Sequence, residues 1–120
     1  MIRSKIYILL PSDKDGGGNR WSYLLANNLI NSQNLDVNLC VCKIENEKEN
    51  IYSIDKNVKK RVFNYKLPRI IALFLFTNQI IKILAAQSII LVSDPILSIL
   101  LSLFSKKNHK IIRNIAADDY

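Results

Sequence analysis

The chain has 120 residues, 49% of them hydrophobic and 22% charged, which suffices for one packed domain and excludes disorder by composition. A formal net charge of +7 favours anionic partners: nucleic acid, an anionic membrane face or phosphorylated small molecules. Two cysteines and one histidine, His109, are too few for a zinc site, so no metal is assigned and nothing demands an oxidising compartment.

Ile6 to Leu10 is a short, unbroken apolar run, as expected of a strand covered on both faces. Pro11 ends it, and Gly16, Gly17 and Gly18 supply a turn where φ > 0 and a close backbone approach are open to the chain. Trp21, Leu24, Leu25 and Leu29 then recur at helical spacing, predicting a helix from about Asn19 to Ser32 with Asn27, Asn28 and Asn31 on its wet side. The turn delivers a helix N-terminus to the carboxyl end of a buried strand, where open α/β sheets bind ligands. Glycine turns of this kind also occur without a ligand, and the local pattern does not choose. The dinucleotide fingerprint fits poorly, because Trp21 stands where the third glycine belongs and no acidic residue closes the second strand. The phosphate-loop pattern fails as well, since no Gly-Lys-Ser/Thr follows.

Asp36 to Cys42 reads as a second strand, with Val37, Leu39 and Val41 alternating with Asn38, Cys40 and Cys42; both cysteines point to one face as buried thiols. The polar run from Glu45 to Asn50 is a loop, and Lys56 to Lys66 allows a third strand through Val58, Val62, Phe63 and Tyr65. Pro68 suits the first turn of a helix whose wide apolar face holds Ile70, Ile71, Phe74, Ile80, Ile81, Leu84 and Ala85. That face either packs on a sheet or lies on a membrane, where Lys59, Lys60, Arg61, Lys66, Arg69 and Lys82 would meet anionic headgroups. Ser88 to Val92 is another buried strand. Ser93 and Asp94 are natural N-caps and Pro95 suits the first helical position, so a helix follows through Ile96, Leu97, Leu100, Leu101 and Phe104. Lys110 to Ala116 is a last strand. No apolar stretch reaches the length of a membrane span, and no signal peptide is evident.

The order β-α-β-β-α-β-α-β predicts an α/β fold, a Rossmann-like open and mainly parallel sheet with helices on both faces. Right-handed crossovers give a strand order of about 3-2-1-4-5. The glycine turn and the Ser93-Asp94-Pro95 turn then face one crevice, and Asp118 and Asp119 leave the fifth strand at the same edge. Arg20, in the first helical turn, can reach an anionic group or stand exposed without a partner. Capping explains Asp94 without a ligand, yet a capping carboxylate still accepts hydrogen bonds from sugar hydroxyls. Catalytic residues are not assigned; Asp118 and Asp119 are the candidates, able to act as a base or orient a hydroxyl, or equally solvated and mobile near the end of the chain. No nucleophile–histidine–acid set can be built.

Lys5 to Pro11, then Gly16-Gly17-Gly18-Asn19-Arg20, a helix and a hydrophobic strand resemble the opening of GT-B glycosyltransferases of the family 4 kind. Ile89 to Pro95 and Lys110 to Tyr120 resemble later strands of the same N-terminal Rossmann-like domain, so the resemblance covers nearly the whole chain. It implies a transferase that moves a sugar from a nucleotide-sugar (or lipid-phosphate sugar), its substrate rather than a bound cofactor, to a glycan or lipid-linked acceptor. The N-terminal domain of that family mainly holds the acceptor. By position Gly16, Gly17 and Arg20 match its turn, and Gly18 and Asp94 join them as candidate substrate-binding residues. Asp118 and Asp119 fall where many members carry a histidine-containing loop, and no histidine stands there. The resemblance also implies a cytoplasmic protein peripheral to the inner face of a membrane.

A complete enzyme of this kind needs a second domain for the donor. The expectation is an incomplete acceptor-side domain, inactive until joined to the missing C-terminal domain. The alternative is a small non-enzymatic α/β module that binds an anionic partner through its basic face. Nucleic acid is not that partner, since no exposed aromatics interleave with the lysines and no binding motif is present.

Overall fold

A computed structural model describes residues 4–12, 17–31, 35–45, 54–83, 89–92, 94–104 and 110–113. Among them the chain runs β1 (Ser4–Leu10), α1 (Gly17–Ile30), β2 (Leu35–Ile44), β3 (Lys59–Tyr65), α2 (Arg69–Ile83), β4 (Ile89–Val92), α3 (Pro95–Phe104) and β5 (Lys110–Arg113). The five strands form one sheet in the order β3-β2-β1-β4-β5, and every pairing is parallel. β1 lies at its centre, in register from Ser4 opposite Leu35 to Leu10 opposite Val41 on one side, and from Ile6 opposite Ile89 to Leu9 opposite Val92 on the other. This is a Rossmann-like α/β architecture.

The two-residue period of the strands divides the core into two layers. Ile6, Ile8 and Leu10 of β1 and Val37, Leu39 and Val41 of β2 face α1, where they meet Tyr23 and Ala26. Tyr7 and Leu9, Cys40 and Cys42, and Ile90 and Val92 face the other way, onto Ala72, Leu73, Phe76 and Ile80 of α2 and Leu97, Leu100 and Leu101 of α3. One helix therefore covers one face and two cover the other. β2 is longer than the sequence pattern predicts and is buried on both faces, because α2 reaches across it from β3 to β4. Asn38 is buried there, its amide donating to the Asp36 carbonyl at 3.3 Å. The connection before β3 closes the α1 side: the Asp55 amide donates to Asn27 Oδ1 at 2.7 Å, and Val58 is buried against the same layer.

Three expectations need correction. Gly17 and Gly18 belong to the first turn of α1 rather than to a turn before it. The buried face of α1 is Ser22, Tyr23 and Ala26, with Leu25 and Leu29 partly buried, while Leu24 is exposed. In α2 the buried face is Ala72, Leu73, Phe76, Thr77 and Ile80, and Ile70, Ile71 and Phe74 point to solvent. The choice of face follows from the sheet. Phe76 packs edge-to-face on Phe63 of β3 at 5.5 Å between ring centroids, and the Tyr65 hydroxyl donates to Gln79 Oε1. Thr77 enters the core because its hydroxyl donates to the Leu73 carbonyl one turn back, at 2.8 Å.

Candidate functional site

Each helix follows a parallel strand and runs back against it, so the N-termini of α1, α2 and α3 all open at the carboxyl edge of the sheet. β1 leads to α1 on one face and β4 leads to α3 on the other. Between these neighbouring strands the connections diverge, which leaves a crevice beyond Leu10 and Val92. The positive ends of the α1 and α3 dipoles open there.

The walls of the crevice are tied by specific bonds. The Asn19 amide in the first turn of α1 donates to the Ser12 carbonyl at 3.0 Å and to Ser12 Oγ at 3.2 Å, holding the loop after β1 against the helix. Arg69, the first residue of α2, donates from Nη1 to the Pro11 carbonyl. This guanidinium joins the opening of α2 to the end of the central strand and adds a positive charge at the rim. Asp94 is the N-cap of α3: its Oδ2 accepts from the Leu97 amide at 2.9 Å, and its carbonyl accepts from the Ser98 amide at 2.9 Å. The cap is half-buried, and a carboxylate has acceptor capacity beyond the one capping bond.

The predicted residues fall as follows. Gly17, Arg20 and Asp94 are brought to the same edge, Gly17 and Arg20 in the first turn of α1 and Asp94 at the start of α3; Arg20 is exposed. Gly18 lies beside Gly17 within the helix. Gly16, Asp118, Asp119, Ser93 and His109 lie outside the described residues. Arg69 is the residue that reading the sequence for a site did not find, because its partner Pro11 lies 58 positions earlier. Among the described residues no three His, Cys, Asp or Glu side chains are grouped to hold a metal ion.

Elsewhere in the fold, burial governs the titratable groups. It pushes the Cys40 thiol up to about 12, against the opposing pull of Arg61. It also pushes the Tyr65 hydroxyl up to about 12, with a smaller push from Cys42, and raises Tyr7. These groups line the layer beneath α2 and α3 and take no part in the crevice. Among the described residues no helix is long and apolar enough to cross a membrane. The chain matches no protein-family model, no curated protein and no solved structure.

Proposed function

We propose that this chain forms the acceptor-side, Rossmann-like domain of a GT-B glycosyltransferase, and that the crevice at the carboxyl edge of β1 and β4 is its sugar-handling site. The observation that carries the reading is the junction of Arg20 and Asn19 at the start of α1, Arg69 at the start of α2 and Asp94 at the start of α3 around one strand pair. Cationic and N–H donors there suit the phosphate of an activated sugar. The acceptor capacity of Asp94 beyond its capping bond suits a sugar hydroxyl. Catalysis in this reading needs a donor-binding domain in addition to the strands described. The setting is cytoplasmic, at the inner face of a membrane, with a glycan or lipid-linked acceptor.

Mapping backbone amide shifts of the isotopically labelled chain against oligosaccharides and nucleotide-sugars tests the site. The expected result is perturbation confined to Ser12, Asn19, Arg20 and Asp94 and their neighbours, reduced by Asp94→Asn for the sugar and by Arg20→Ala for the phosphate. Shifts along Lys59, Lys60 and Arg61 with any polyanion, and none at the crevice with sugars, would make the chain a small anion-binding module instead.

A further inference from the structure

The helix α3 holds no charged residue, and its outward side is apolar. Ile99 and Leu103 are exposed at 60 and 71%, and Ile96, just after the Asp94 cap, is exposed as well. Spacings of three and four residues join them in one stripe from the first turn of the helix to the last. The Ser102 hydroxyl beside this stripe donates to the Ser98 carbonyl at 3.0 Å, so it brings no unmet donor to a partner surface. α2 lies next to α3 on the same face of the sheet and adds exposed Ile70, Ile71 and Leu75. Its cations, Arg69 and Lys82, stand at its two ends and leave the stretch between them uncharged. The six aliphatic side chains present on the order of 500 Å² of apolar surface, as much as the largest patch on a typical monomer. That is most of the roughly 800 Å² each partner gives to a standard interface.

An apolar, uncharged centre of this size is the composition of contacts between identical chains, which are more apolar than transient contacts. Symmetry sets the fit. Ile99 stands at the middle of the ten-residue helix, with Ile96 three residues before it and Leu103 four after. A two-fold axis passing Ile99 runs two α3 helices antiparallel. Leu103 of each copy then meets Ile96 of the other, and the helix dipoles oppose. We propose that the outer faces of α3 and α2 join two copies of this chain in a two-fold dimer, with Ile99 at the axis. The basic strand β3, with Lys59, Lys60 and Arg61, does not oppose this arrangement. Two helix layers separate the two sheets, so at about 10 Å per packed layer the strands stay roughly 30 Å apart, well beyond the Debye length of about 8 Å at physiological ionic strength. The dimer uses neither Arg20 nor Asp94 and does not depend on sugar transfer. Ile96 follows Asp94 closely, so each copy's seam adjoins the α3 wall of its own crevice.

Sedimentation velocity of the full chain tests this. Between about 1 and about 100 μM the expected result is a monomer–dimer equilibrium, within the range that interfaces of this size reach. Salt that shortens the Debye length from about 8 Å to about 3 Å should not weaken it, because the seam is apolar. Ile99→Glu and Leu103→Glu should each raise the dissociation constant at least about tenfold with unchanged circular dichroism, since both side chains lie outside the core. Placed cysteines read the axis directly, because the native thiols are buried. With copper phenanthroline as oxidant, Ile99→Cys should link two copies through a disulfide at least about tenfold faster than Leu24→Cys, at an exposed position of α1 on the other face of the sheet. A chain that stays monomeric throughout this range would overturn the proposal. So would a dimer indifferent to Ile99→Glu and Leu103→Glu, or one that Ile99→Cys links no faster than Leu24→Cys. A monomer whose stripe is captured by lipid vesicles would overturn it too, and would assign the face to hydrocarbon. Each of these failures leaves the crevice reading intact, because the amide shifts at Ser12, Asn19, Arg20 and Asp94 are read separately.

Discussion

Asp94 caps α3, its Oδ2 accepting from the Leu97 amide. Asp94→Ala should therefore lower stability by about 1 kcal/mol in a urea melt, whereas Asp94→Asn, which keeps a capping oxygen, should cost only a few tenths. Equal losses for the two variants would mean that the charge, not the cap, stabilises the helix. The cap was legible in the sequence because its chemistry is local, a capping residue before Pro95 and an apolar run. Arg69 was not legible as a crevice residue, because only the sheet brings it to Pro11. The buried thiols were legible from their two-residue spacing, and the structure adds a pH consequence. Burial raises the Cys40 thiol from its ordinary 9.0 to about 12 and the Tyr65 hydroxyl from 10.0 to about 12. Above pH 9 the unfolded chain sheds these protons while the folded chain keeps them, so unfolding is favoured by rising pH. Their stabilisation is present in full below about pH 9 and is lost as pH climbs toward 12. Urea midpoints should fall across that window, and Ellman's reagent should find both thiols only after unfolding. Rapid reaction of the native chain would contradict their burial.

The elements α1 and α2 mark where reading by pattern stops. The glycines suggested a turn, yet Gly17 and Gly18 form the first helical turn, where glycine costs less than in a helix interior and leaves the loop after β1 room to close through Asn19 and Ser12. In α2 nearly every position is apolar, so the 3.6-residue period does not single out a face. The sheet makes the choice, through Phe63 against Phe76 and Tyr65 against Gln79. Two positions on opposite faces test it: Phe76→Ala should cost about 3–5 kcal/mol, and Ile70→Ala, at a side chain 54% exposed, no more than about 0.5 kcal/mol. Comparable costs, read from denaturant melts, would place the helix the other way round.

For the whole molecule, alternation of strands with helical segments was enough to indicate an α/β fold with a parallel sheet and helices on both faces, because the unbroken apolar runs of β1 and β4 require cover on both sides. The convergence of helix N-termini at the carboxyl edge then follows from topology. Which substrate sits there does not follow from topology, since one fold carries many chemistries; Arg20, Arg69 and Asp94 carry that part of the reading. The most direct measurement is sugar transfer by the longest open reading frame that contains residues 1–120, supplied with labelled nucleotide-sugars and with glycan and lipid-linked acceptors. The account predicts transfer that requires a second domain of roughly 150 residues. It further predicts a fall of at least about tenfold, equivalent to about 1.4 kcal/mol, on Arg20→Ala or Asp94→Asn with the fold retained. Absence of transfer from every donor, or transfer indifferent to both substitutions, would contradict it.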